Sequence, residues 1–229
     1  MSAQQPSVPA RHTVWGVRWF LWGIPLALGV AIALLVTFFV LGNGSGASTA
    51  LDASGQQVLG AKGGPATTWK AGAKLAPRFS LDDANGLPIS LQRFHGRPVI
   101  LTFIDPLCTT FCPLEAAVLD RVLARLPAAQ RPAIVAVSVN RLGDNQKAYR
   151  HDARKWKLTK AWHWAVGAQP ALQHVWRDYS IGVTVDPKTK DVSHTEAVYL
   201  VDANGYQRAL YLWPFNAADL LRGLSSLRS

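Results

Sequence analysis

Cysteine is almost missing from this chain of 229 residues; Cys108 and Cys112 are the only two. No four closely spaced Cys or His residues are present to close a zinc site, and no glycine-rich phosphate loop occurs. No internal repeat is visible. Charge is absent altogether from Trp19 to Gly42. No cysteine lies near that segment, which excludes a lipoprotein anchor. Acidic residues are scarce, 14 against 24 Lys and Arg, and the formal charge is +10.

What is present begins with that uncharged run. About 20 apolar residues span the hydrocarbon core as a helix, so residues 19–42 are long enough for a transmembrane helix. Pro25 stands near its start, where proline is tolerated. Arg11 and Arg18 precede it, whereas the first charge after it is Asp52. The positive-inside rule then makes 1–18 a cytoplasmic tail and puts the bulk of the chain on the extracytoplasmic (periplasmic) side of the cytoplasmic membrane. Trp15, Trp19 and Trp22 recur at helical spacing, as in an interfacial aromatic belt. The rival reading is a signal peptide cut near Ala47 or Ala50, but its apolar core would exceed the usual 7–15 residues. On either reading the thiols reach an oxidising or metal-exposed compartment. A nucleic-acid partner does not suit that side of a membrane. The basic run Lys147, Arg150, Arg154, Lys155, Lys157 and Lys160, opposed only by Asp152, reads as a solvated helix face or as a contact for anionic headgroups or an acidic partner.

Residues 43–72, rich in Gly, Ser, Ala and Thr, read as a flexible linker. Residues 73–229 suffice for one domain with a sizeable core. Phe79–Leu81 and Ile89–Leu91 flank an Asn85-Gly86 turn, a hairpin signal. Pro98–Ile104 and Ala133–Val139 are continuous apolar runs, expected as strands buried on both faces. Leu114, Val118, Val122 and Leu126 repeat every four residues, an amphipathic helix for which Pro113 is expected as first residue and Cys112 as N-cap. Further helices are expected over Asn145–Trp156, Pro170–Tyr179 and Ala217–Leu227. Strands are expected over Trp162–Val166, Thr195–Val201 and Arg208–Leu212. Strand–helix–strand–helix, then a hairpin and a closing helix, gives an α/β mixed sheet covered by helices on both sides.

Both cysteines fall at the first strand-to-helix junction, as Cys108-Thr109-Thr110-Phe111-Cys112-Pro113. His194 stands far downstream, just before another strand. Two sulfurs and an imidazole form a set of three donors suited to copper. Two nearby thiols alone suit disulfide chemistry, and a structural disulfide is the blander alternative. A three-residue gap leaves Cys108 on the loop while Cys112 starts the helix, where the N-terminal N–H groups should stabilise a thiolate at Cys112. Asp105 is expected either to tune this site or to cap the loop. His163, between Trp162 and Trp164, reads as structural, and His12, His95, His151 and His174 have no argument tying them to the cysteines.

The order of elements, with thiols at that junction, resembles a thioredoxin-like fold. Phe79–Gly96, Pro98–Ile104, Cys108-x-x-x-Cys112-Pro113 and the late His194 together resemble the Sco/SenC family of copper-handling proteins, over residues from about 75 to 225. The resemblance implies a domain tethered outside a membrane by one N-terminal helix, with Cys108, Cys112 and His194 binding Cu(I) or Cu(II). It implies a role as a metallochaperone in assembly of the copper centre of cytochrome c oxidase, whose copper-bearing subunit (or another copper protein) would be the partner. It also leaves a second role open, since some relatives act as thiol reductants, with Cys108 and Cys112 as a redox pair. Many relatives have proline after the first cysteine, where this chain has Thr109, and some have an acid before the histidine, where it has Ser193. A thioredoxin-type oxidoreductase would carry Cys-x-x-Cys and a proline before the later strand; here the gap is three and His194-Thr195 occupies that place. A thiol peroxidase would need Pro-x-x-x-Thr-x-x-Cys, and the stretch from Pro106 to Cys112 is one residue short of it.

Overall fold

The computed structural model describes residues 48–51, 57–60 and 64–227. The expected tail and the expected transmembrane helix over 19–42 lie outside them. Among the described residues no helix is long and apolar enough to cross a membrane. In chain order come β1 (Ser48–Leu51), β2 (Gln57–Gly60), β3 (Thr67–Thr68), β4 (Leu81–Asp82), β5 (Pro88–Ile89) and β6 (Val99–Ile104). Then follow α1 (Phe111–Ala124), β7 (Ala133–Ser138), α2 (Gln146–Lys155), β8 (Trp162–Ala165) and α3 (Gln169–Asp178). The chain closes with β9 (Val183–Val185), β10 (Val192–His194), β11 (Ala197–Val201), β12 (Gln207–Leu212) and α4 (Ala217–Ser225).

One six-stranded sheet runs β3-β12-β11-β6-β7-β8. β6, β7 and β8 are parallel, while β11 lies antiparallel to β6 and β12 to β11. The sheet is therefore mixed, as expected. β3 enters it at Thr67, inside the stretch expected to be linker, and β1 pairs with β2.

Because side chains alternate across a strand, β6 feeds two cores. Val99, Leu101 and Phe103 join Leu172, Val175 and Trp176 of α3 on one face. Ile100 and Ile104 join Ala116, Leu119, Val122 and Leu123 of α1, with Leu220 and Leu224 of α4, on the other. All six residues of β6 are buried, and Thr102 is its one polar member. Thr102 shares the parity of Ile100 and Ile104 and hence meets α1. β11 behaves alike, with Val198 and Leu200 on the α1 side and Ala197, Tyr199 and Val201 on the other.

Two expectations need correction. α1 starts at Phe111 with Thr110 at its N-cap, so Cys112 and Pro113 lie inside the first turn rather than at the cap and the first position. The first turn's N–H groups have no partners within the helix, so proline is tolerated throughout it. The ribbon β9–β10 was not expected; its strands have three residues each and only His194 is buried.

Candidate metal centre

The first sulfur is positioned by a turn. Beyond β6, the Cys108 N–H donates to the Asp105 carbonyl at 3.0 Å, and the Leu107 N–H to Asp105 Oδ1 at 2.8 Å. Asp105 is thus the loop cap, and burial raises its pKa. The Thr110 side chain makes no capping bond to α1. Instead the Cys112 N–H points at Cys108 Sγ, 3.4 Å away. The sulfur takes up one of the N–H groups that a helix start leaves unpaired, so the favoured thiolate is at Cys108 and not, as expected, at Cys112. The Cys112 thiol donates to the same sulfur, and together with the N–H groups of Cys112 and Thr110 it brings the Cys108 pKa down to about 4 against burial. Cys112, fully buried, is pushed far up: it is the hydrogen-bond donor to Cys108, it is desolvated, and Glu196 carries charge nearby. Both thiols are free.

His194 arrives from the end of the β9–β10 ribbon, paired with Val183. The next residue fastens it: the Thr195 N–H donates to the Gly182 carbonyl at 3.0 Å and Thr195 Oγ1 accepts from the Gly182 N–H at 3.1 Å. His194 is only 4% exposed. Its Nδ1 lies 3.2 Å from the Thr195 carbonyl, and its Nε2 lies 3.2 Å from Glu196 Oε1. Assigning the ring proton to Nδ1, where a carbonyl can accept it, leaves the Nε2 lone pair facing the site. Burial lowers its pKa, favouring the neutral imidazole that metals require.

Glu196 was not singled out in the sequence. Strand parity could have found it, since Glu196, Val198 and Leu200 alternate onto the α1 face. Beneath it on α1 is Glu115, fully buried three residues after Cys112, with Oε1 accepting from Thr102 Oγ1. Burial raises both carboxyl pKa values, and Glu196 is raised further by repulsion from Glu115. The two carboxyls are in hydrogen-bonding contact with each other, and beyond that contact Oε2 of each has no partner among the described residues.

The donor atoms of Cys112, His194 and Glu196 all lie within 4.8 Å of one another. Cys108 is outside this trio but hydrogen-bonds to Cys112, and its charge reaches His194. Two sulfurs, an imidazole and a carboxylate with an orphaned oxygen form a donor set that fits a thiophilic first-row metal ion. The remaining described histidines stand elsewhere. His163 packs on Phe94 with ring centroids 4.8 Å apart, His151 pairs with Asp152, His174 pairs with Asp178, and His95 caps a 3-10 turn.

The model of the family described as SCO1/SenC matches residues 67–227. No curated protein matches the chain. Among solved structures, Arabidopsis thaliana ScoI with copper bound is 19% identical with a TM-score of 0.58, covering 67% of this chain and 98% of that one. BsSco, described as a Sco-family cytochrome c oxidase assembly protein with a disulfide switch, is 21% identical with a TM-score of 0.58, covering 71% and 99%. The thioredoxin domain of a thiol-disulfide oxidoreductase from Bacteroides vulgatus is 19% identical with a TM-score of 0.52, covering 70% and 100%. At such identities the likeness is one of fold, and the fold is thioredoxin-like. The family match spans well over half of the chain, from the first strand of the six-stranded sheet to the end of α4, and the chain belongs to the SCO1/SenC family.

Proposed function

We propose that this domain is a membrane-anchored copper chaperone. It binds one copper ion through Cys108, Cys112 and His194 and passes it to a copper protein, the copper-bearing subunit of cytochrome c oxidase in the first instance. The observation that carries the reading is the meeting of His194, more than eighty residues downstream, with the buried Cys112. Thiolate and imidazole donors suit Cu(I) in trigonal form and hold Cu(II) with an added weak ligand. Copper bound to a family member of the same fold supports the choice of metal. Copper here is cargo, so it must leave as well as bind. Leu107, Phe111 and Leu114 are exposed beside the cysteines, as is Leu142 on the adjoining loop, and an apolar rim of this kind suits cover by the recipient's surface during transfer.

The test is copper counting on the purified, reduced chain. One equivalent is expected, with affinity lost by about tenfold or more in His194→Ala, since a donor is removed. Stoichiometry and affinity unchanged in that variant would overturn the ligand set.

A second reading draws on a specific observation: the Cys112 N–H points at Cys108 Sγ from 3.4 Å, which favours a thiolate at Cys108 beside the buried Cys112 thiol. That asymmetry suits thiol–disulfide exchange: the Cys108 thiolate attacks a partner's disulfide, one partner sulfur leaves as thiol, and Cys112 then displaces the other as Cys108–Cys112 closes. This role needs both cysteines and not His194. Because both chemistries use the same sulfurs, oxidised protein should take up copper only after reduction.

A further inference from the structure

We infer that Glu196 is a fourth metal donor and sets the site's preference between oxidation states, an inference that rests on the copper-binding reading above. Glu196 Oε1 is 3.2 Å from His194 Nε2. Donors each about 2.0–2.1 Å from one ion lie that far apart at an angle of about 100°, so both can hold the same ion without rearrangement. The donor atoms of Glu196 and Cys112 also fall inside the 4.8 Å cluster.

Burial gives a second argument. Apart from the hydrogen-bonding contact between the two carboxyls, Glu196 Oε2 and the fully buried Glu115 Oε2 have no partners among the described residues, and Glu196 Oε1 faces the neutral His194 ring rather than a cation. Buried polar atoms are nearly always satisfied. A cation seated between Cys112, His194 and Glu196 would satisfy the Glu196 carboxylate and offset its repulsion by Glu115.

Oxidation state follows from donor type. Cu(I) is content with soft sulfur and imidazole, whereas a hard carboxylate oxygen adds more for the dication. Its negative charge acts in the same direction, since the attraction scales with ionic charge. Glu196 therefore adds to the hold on Cu(II) and contributes little to the hold on Cu(I).

The experiment uses the full chain, reduced and loaded in parallel with Cu(I) and Cu(II), as wild type and as Glu196→Gln. Glutamine keeps the shape and can still hydrogen-bond His194. Affinities come from chelator competition, and the Cu(II) coordination from its electron paramagnetic resonance and visible spectra. Glu196→Gln should bind Cu(II) about tenfold or more weakly with altered spectra, while Cu(I) affinity stays within about threefold. Each tenfold loss specific to Cu(II) raises the one-electron potential by about 59 mV. Retained Cu(I) binding also reports that the variant is folded. If it fails to fold, Glu196→Ala gives the same comparison. Unchanged Cu(II) spectra and affinity, or equal loss of both states, would overturn the fourth donor and leave copper binding intact. Failure of the wild type to take up copper would overturn both readings together.

Discussion

Cys108 and Cys112 are separated by three residues yet have opposite chemistry, and the difference comes from where the helix start points. The N–H of Cys112 and its thiol both converge on Cys108 Sγ, while Cys112 itself is enclosed by α1 and the sheet beside two carboxyls. Only a thiolate is nucleophilic, so alkylation rises as pH passes the thiol's pKa. Cys108 is lowered from 9.0 to about 4, and its reaction with iodoacetamide should therefore be near its plateau at about pH 6 and fall only towards about pH 4. Cys112 is shifted the other way and is fully buried, so it should stay unmodified until the protein unfolds. Mass spectrometry of the alkylated, digested chain reads the two sites separately. A midpoint for Cys108 near that of an ordinary thiol would remove the helix-start explanation. The sequence indicated a helix N-terminus acting on a thiol here, but assigned it to Cys112, because Pro113 looked like the first helical residue. The deciding fact is a helix begun two residues earlier, which periodicity does not fix.

The elements that hold the site differ in how far local sequence specifies them. β6 and β7 are continuous apolar runs, and their burial on both faces was readable at once. The start of α2 is marked by Asn145, whose Oδ1 accepts from the Ala148 N–H at 2.9 Å. β9 and β10 were not readable, being short and mostly exposed, with a register fixed by their pairing with each other. Glu196 was missed for a related reason: its meaning depends on Glu115, some eighty residues earlier, and on which face of α1 looks at the sheet. A close approach between loops was equally hidden. A Cβ on Gly143 would sit 2.5 Å from Pro106 Cγ and 3.0 Å from Leu107 Cγ, so the turn after β7 is pressed onto the cysteine loop. Gly143→Ala should push that loop aside, slowing Cys108 alkylation or weakening copper binding, with about 1–3 kcal/mol of overpacking. Gly223→Ala is the control. Its Cβ would overlap Tyr211 Oη and approach Leu200 Cδ1 to 2.6 Å, in the α4 layer and beside the Ile100 end of β6 rather than the end that leads to the cysteines. It should cost a similar amount in a denaturant melt and leave the thiols unaffected. Equal effects of both variants on thiol reactivity would mean that general loosening, not the loop contact, governs the site.

At the scale of the whole molecule, the placement of the domain decides which partner it can reach. The uncharged run from Trp19 to Gly42, preceded by Arg11 and Arg18, is the basis for proposing a retained anchor with the domain on the extracytoplasmic side. About 24 residues separate Gly42 from β3, among them the paired strands β1 and β2. A retained anchor would keep the copper site in the layer next to the membrane, within reach of a membrane-bound recipient. The basic side chains of α2, Lys147, Arg150, Arg154 and Lys155, would favour that layer wherever the lipid is anionic. Fractionating cells that express the full chain, and washing the membranes with alkaline carbonate, separates an integral anchor from a peripheral contact. The full-length protein is expected to stay in the washed membrane pellet, since no wash removes a spanning helix. Accessibility of Cys108 to a membrane-impermeant thiol reagent in intact spheroplasts should then report an outward-facing domain. A shortened soluble form would mean that the segment is cleaved as a signal peptide, and tethered delivery would fail while copper binding could persist. Retention with Cys108 shielded from the reagent would reverse the orientation and remove an extracytoplasmic recipient from reach.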